Sequence, residues 1–332
     1  MMAGHGHPAS RTHDPGLEIA RGIAILLVVV GHVVSSPVEE LIFLFHMPFF
    51  FLMGGHLFRP HAARAEIRRR SARLLVPYLA YLAVLSIPIL LPRLLESDLA
   101  QAASRLLHLI AGGEGLVSPL SVFWFPTCYF LTAIVYNVLV ERFRRQTIWA
   151  LSFGLLGLAT LNQLSWPQFW LPWAFNVCAM AIPMFHLGCE FGPRLFRPSY
   201  QLLLASCTFA VGYMLCIVWQ DAPTMDMKRA EYGFPIVTLL AALACCVVLV
   251  RTSRALVAAP FLAAFLAYCG SASMTLMYVH VPVQMVLFSS GIVGVWERIL
   301  VSTGLSLIVH WLFTRLSLTR RVFLGQPASR TL

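Results

Sequence analysis

The chain has 332 residues, of which 59% are hydrophobic and only 11% charged. Soluble domains carry about 25% charged residues, so this composition excludes a water-soluble globular protein and specifies an integral membrane one. The net charge of +10 does not imply nucleic acid, because the basic residues lie between apolar runs, where the positive-inside rule places them.

Residues 1–16 are polar, contain Arg11 and three histidines, and have no apolar run. They read as a cytoplasmic tail and not as a cleavable signal peptide. Two apolar segments follow, 17–34 and 40–58, joined by a short polar turn. Each approaches the roughly 20 residues that a membrane span requires. The first carries Arg21 near its start and His32 near its end. This spacing of 11 puts the two on nearly the same helix face at about 3.6 residues per turn. A charged residue in a membrane helix costs roughly 2.5–3.5 kcal/mol, and usually faces a cavity or a partner. Glu18, one turn before Arg21, is the expected partner. Snorkelling of Arg21 to the interface is the plainer alternative. The second segment adds His46 and His56.

Residues 59–73 contain six arginines against one glutamate, and form the strongest cytoplasmic marker in the chain. A third span is expected over 74–95. Residues 96–121 contain GGEG and a short apolar run, and suggest a partly re-entrant external segment. Spans over 122–140 and 147–164 flank the basic run ERFRRQ, and SWPQFWLPW reads as an interfacial aromatic belt. A sixth span, 173–191, holds His186, taken as structural, as is His310. The seventh and eighth, 200–219 and 234–250, enclose QDAPTMDMKRAEYG, expected to be an outer loop near an acceptor. Residues 255–268 are apolar but short, and read as a half-inserted helix on the inner face, broken at Gly270. The ninth span, 271–290, carries His280, and the tenth is 295–316.

The fold expectation is therefore an all-α integral membrane protein of about ten transmembrane helices with both termini cytoplasmic. Its transmembrane domain covers 17–316, between tails at 1–16 and 317–332. This topology puts all but Arg93, Arg105, Lys228, Arg229 and Arg298 of the 24 Lys and Arg residues on the inner side. The eight cysteines are scattered, with no spacing typical of a metal site, and no metal is expected.

Five motifs occur together in order: Arg21 with His32; FHMPFFFLMGGHLF at 45–58; RSARLLVPYL at 70–79; VFWFPTCYFL at 122–131; and SMTLMYVHVPV at 273–283. Their pattern resembles the membrane-bound acyltransferase family 3, in the branch that includes fucose 4-O-acetylase-like proteins. Gly54 stands where the family pattern usually has Ser, His56 where it often has Tyr, and Pro126 where it has Leu. The resemblance implies an O-acyltransferase that takes an acyl group, acetyl in the family's usual chemistry, from acetyl-CoA as donor substrate. It implies transfer to a glycan or lipid-linked sugar, in a bacterial cell inner membrane.

Acyl transfer to a hydroxyl needs a base for the proton and stabilisation of an oxyanion. His32 lies about 5 Å from the outer end of its helix, and His46 about 9 Å into the next, so the two are expected to meet in the outer half of the membrane. His32 is the candidate base or acyl carrier, with His46 orienting it or donating to the oxyanion. Arg21, held by Glu18, is expected to line the donor path. Arg69, Arg70 and Arg73 are candidates for the phosphates of acyl-CoA, since guanidinium forks suit phosphate bidentately. Trp124 and His280 are supporting candidates. The competing reading is a transporter or flippase of a sugar or small metabolite, with the Arg and His residues forming a substrate or proton path.

Overall fold

The computed structural model describes residues 14–95 and 99–326. Of the expected tails at 1–16 and 317–332, residues 1–13 and 327–332, with His5, His7, His13, Arg11 and Arg330, lie outside the described residues. Among the described residues regular structure is helical, with one isolated bridge between Asp226 and Glu231.

Helix α1 spans Pro15–Gly31. It begins earlier than hydropathy predicts because Asp14 caps it, accepting from the Gly16 N–H at 3.0 Å, and Pro15 occupies the first turn, where a missing N–H costs nothing. The second apolar segment is two helices, α2 (Val38–Phe43) and α3 (His46–His56), broken at Leu44 and Phe45. The basic run at 59–73 is not a loop. It is helical from α4 (Ala63–Arg70) through a π-helical turn, Ser71–Leu75, into α5 (Val76–Leu95). The run's polarity says nothing of its conformation, since arginine is a good helix former.

The chain continues through α6 (Leu99–Ala111), α7 (Trp124–Arg142), α8 (Arg145–Ser165), α9 (Cys178–Leu195), α10 (Tyr200–Gln220) and α11 (Pro235–Ala255). It ends in α12 (Pro260–Ser271), α13 (Ser273–Ser289), α14 (Val295–Arg315) and α15 (Ser317–Leu324). The apolar run at 255–268 becomes α12, which meets α13 at a bend of 79°. Seven helices are long and apolar enough to cross a membrane, or eight if the bent α12–α13 pair is one span. The other two expected spans correspond to α1, with 17 residues, and α14, with 21.

Helices α3, α7, α9 and α11 are mostly buried, while α5, α8 and α10 turn most of their surface outward. Lipid gives helices little hydrophobic reason to associate, so small residues that admit close backbone approach set the packing. Two crossings follow this rule. A Cβ added at Gly22 of α1 would lie 1.8 Å from the Leu266 carbonyl oxygen of α12. One added at Gly55 of α3 would lie 1.8 Å from the Phe185 carbonyl oxygen of α9, and one at Gly188 would lie 2.0 Å from the Leu52 oxygen. The same α3–α9 contact takes up His56, whose ring lies against Phe196 at 5.1 Å.

These packings give the bundle two distinct ends. At the start of α1, Asp14 pairs with Arg254 at 2.5 Å. At its finish, Arg298 donates to the Val33 carbonyl oxygen at 3.4 Å, and the segment 225–228 folds over His32.

Candidate functional site

Three helices share one wall. Along α1 the residues Arg21, Ile25, Val28 and His32 recur at helical spacing, and a fork of hydrogen bonds holds the first of them. Arg21 Nη1 donates to both Glu18 oxygens at 3.2 and 3.0 Å, while Nη2 donates to the Gly270 carbonyl oxygen at 3.1 Å and the Ser273 hydroxyl at 3.3 Å. The guanidinium therefore ties α1 to both sides of the α12–α13 bend. Glu18 does partner it, but two further partners lie about 250 residues away in sequence, beyond any local reading.

A cavity of about 590 Å³ opens beside this anchor. Arg21, Arg59, Arg69, Arg70, Arg73 and His61 line it, with Phe50, Phe125, Tyr129 and Met274 among its apolar walls. Glu66, fully buried, organises the cationic side. Arg69 donates to it at 2.7 Å, Arg70 also bonds it, and His61 Nδ1 lies 3.5 Å away. Asn137 of α7 fixes the preceding turn by exchanging two hydrogen bonds with the His61 backbone, at 3.1 and 2.7 Å. Among the described residues, Arg59 and Arg73 have no carboxylate within 4 Å. The Arg70 guanidinium lies 5.8 Å from the centre of the Tyr129 ring. The Tyr129 hydroxyl fills the space beside Gly54, where an added Cβ would stand 2.4 Å from it. The glycine at this position thus leaves room for a tyrosine hydroxyl from α7.

A second, small cavity of about 60 Å³ lies at the other end of the same wall. His32, His46 and Trp124 line it, with Phe43 and the segment Met225–Lys228. The ring of His280, fully buried, meets His32 edge-on at 4.9 Å. All three histidines are held in the same way. His32 Nδ1 lies 2.8 Å from the Val28 carbonyl oxygen, His46 Nδ1 2.8 Å from that of Ile42, and His280 Nδ1 2.7 Å from that of Leu276. A carbonyl only accepts, so each Nδ1 carries a proton and each Nε2 of the neutral ring is left as an acceptor. The His280 Nε2 is buried with no hydrogen-bond partner. In this tautomer the neutral His46 ring presents an acceptor, and not an N–H, from its Nε2. Trp124, whose indole N–H only donates, and Lys228 also line this cavity.

The structure thus brings His32, His46, His280 and Trp124 together at one end, and Arg21, Arg69, Arg70 and Arg73 at the other, with Glu18 behind Arg21. His186 and His310 sit apart: His186 Nδ1 bonds the Tyr136 hydroxyl at 2.8 Å, and His310 Nδ1 lies 3.1 Å from the Thr275 hydroxyl. Sequence reasoning missed Glu66, His61, Arg59 and Tyr129. Glu66 was the one acid in a run of arginines at i+3 and i+4, and that spacing on a helix is a pairing signal. Among the described residues, no group of three His, Cys, Asp or Glu side chains converges as a metal site.

A bundle of apolar helices with an arginine-lined cavity at one end and a histidine cluster at the other is the architecture of a multi-pass membrane protein. The chain belongs to the acyltransferase family 3: the family model described as "Acyltransferase domain" matches residues 14–315. It is similar to nodulation protein NolL of Mesorhizobium japonicum, with 26% identity over 169 residues, 45% of this chain and 42% of that protein. The chain thus matches less than half the length of that relative. No solved structure matches.

Proposed function

We propose that the protein is an O-acyltransferase that moves an acyl group, acetyl in the simplest case, from cytoplasmic acyl-CoA to a hydroxyl of an extracytoplasmic glycan or lipid-linked sugar. The observation that carries this reading is the pair of cavities, one arginine-lined and one histidine-lined, on a single α1–α3–α13 wall. In this reading the chain makes ten spans, counting α1, the bent α12–α13 pair and α14, in a bacterial inner membrane. The arginine end and both termini face the cytoplasm. The concentration of arginines at that end supports the orientation.

Coenzyme A presents a pyrophosphate and a 3′-phosphate. Arg59 and Arg73 at the cavity mouth, with Arg69 and Arg70 oriented by Glu66, provide guanidinium forks for them. The thioester reaches along the wall past Arg21 towards His32. The Nε2 of His32 takes the proton of the acceptor hydroxyl as its oxygen attacks the thioester carbonyl. A C–O bond forms, and Trp124 and Lys228 supply the positive edge that steadies the oxyanion. The C–S bond then breaks, and the departing thiolate takes the proton back from His32. His280, edge-on to the His32 ring, holds it in place, and His46 lines the same cavity.

The test is acetyl-CoA binding and turnover by detergent-purified protein, with cell-envelope glycan as acceptor. Wild type is expected to transfer, and His32→Ala to bind donor with wild-type affinity but transfer none. If neither binds acyl-CoA, the reading fails, and the arginine and histidine residues serve passage of a sugar or small metabolite.

A further inference from the structure

The two cavities share part of their lining. Three residues, Val28, Met47 and Met277, line both of them. Each comes from a different helix of the shared wall, α1, α3 and α13, and each is buried, at 1%, 8% and 7% exposure. They form a septum between the arginine-lined cavity and the histidines. A thioester carbonyl that arrives from the arginine end must pass it to reach His32.

The chemistry of the septum suits a moving part. Methionine is unbranched, with three rotatable bonds, and repacks at low cost. Val28 sits one turn below His32, whose Nδ1 donates to its backbone carbonyl, and its side chain is stiff at χ1, so that side of the septum moves least. Movement therefore falls to Met47 and Met277. Both stand near the histidines on their own helices: Met47 follows His46 directly, and Met277 precedes His280 by three residues.

The space beyond the septum is small. At about 10–15 Å³ for each water-sized group, the histidine cavity of about 60 Å³ takes four or a few more such groups. An acetyl group has three heavy atoms, and the attacking oxygen is a fourth. A four-carbon acyl group would displace either the methionines or the acceptor.

We infer that Met47 and Met277 form the movable septum that admits the acyl group to His32 and restricts it to short chains. The inference rests on the acyl-CoA reading above. The septum residues set specificity by the room they leave, without contacting the acceptor hydroxyl.

The experiment compares acetyl-CoA with butyryl-CoA as donors for the full-length protein in detergent, reading donor affinity and transfer rate separately. Met277→Ala and Met47→Ala should each raise the butyryl-to-acetyl ratio of kcat/KM by about tenfold or more, the scale on which apolar pockets discriminate methylenes. Met277→Phe should slow acetyl transfer by a similar factor while donor affinity stays within about twofold. Met277→Leu, close in volume, should keep the wild-type ratio. It also serves as the folding control, and Met47→Ala tests the same septum from α3 if Met277→Ala cannot be purified. A wild-type protein that transfers acetyl, together with alanine and phenylalanine variants that keep its chain-length ratio and rate, overturns the septum alone. A wild-type protein that binds no acyl-CoA overturns the reading beneath it and the septum with it.

Discussion

Replacing Gly22 with alanine tests how far the site depends on one close helix crossing. The new Cβ would lie 1.8 Å from the Leu266 carbonyl oxygen and 2.7 Å from its carbon, against ordinary contact at 3.4–4 Å. Both obstacles are backbone, so no side chain can turn away, and α1 and α12 must separate by more than 1 Å. Overpacking of this kind costs about 1–3 kcal/mol. The displacement also reaches the site, because Gly270 and Ser273, which flank the bend after α12, hold the Arg21 guanidinium. A misplacement of about 1 Å in a reacting geometry costs on the order of 100-fold in rate. Gly22→Ala should therefore melt at a lower temperature in detergent and lose about 10- to 100-fold of transfer. Gly212→Ala is the matched control: it lies inside α10 with nothing within 4 Å of an added Cβ. There alanine should be neutral, or stabilise by about 0.5–1 kcal/mol through its higher helix propensity. Thermal unfolding followed by light scattering, with transfer measured on the same preparations, reads both. Wild-type melting and wild-type transfer for Gly22→Ala would refute the argument that this crossing sets the geometry.

Arg21→Lys keeps the charge but loses the planar fork that reaches Glu18, Gly270 and Ser273 together; we expect transfer to fall at least tenfold with donor binding little changed, measured by steady-state kinetics beside direct binding. Glu66→Gln removes the buried carboxylate that orients Arg69 and Arg70. Hydrogen bonds to charged groups contribute about 1.5–3 kcal/mol, so the KM for acyl-CoA should rise roughly 10- to 100-fold while kcat changes less. The cavity mouth carries exposed arginines, and exposed charges are screened over about 10 Å at 0.1 M salt. Donor affinity measured by isothermal titration should accordingly weaken as ionic strength rises, and a salt-independent affinity would argue against phosphate recognition there.

Much of this protein is written locally. The apolar runs fix where helices form, because backbone groups in lipid must be satisfied within the segment. The spacing of Glu18, Arg21 and His32 fixes one helix face, because side chains recur every 3.6 residues. Those two facts were enough to place a cation and a base on the same wall. The arginine run at 59–73 shows its charge in the sequence but not its helical conformation over most of its length, since charge reports exposure and not backbone conformation.

What local periodicity leaves open is which faces meet. His280 stands against His32 from almost 250 residues away, Arg21 finds Gly270 and Ser273 across a bend, and Met47 and Met277 close one septum from two helices. The sequence by itself determined the helices, their charge distribution and the face that carries Arg21 and His32. Only the tertiary structure decided the partners of that face, because helices that share a lipid solvent are sorted by close contacts such as Gly22 on Leu266 and Gly55 on Phe185, and those contacts join residues that no spacing along the chain connects.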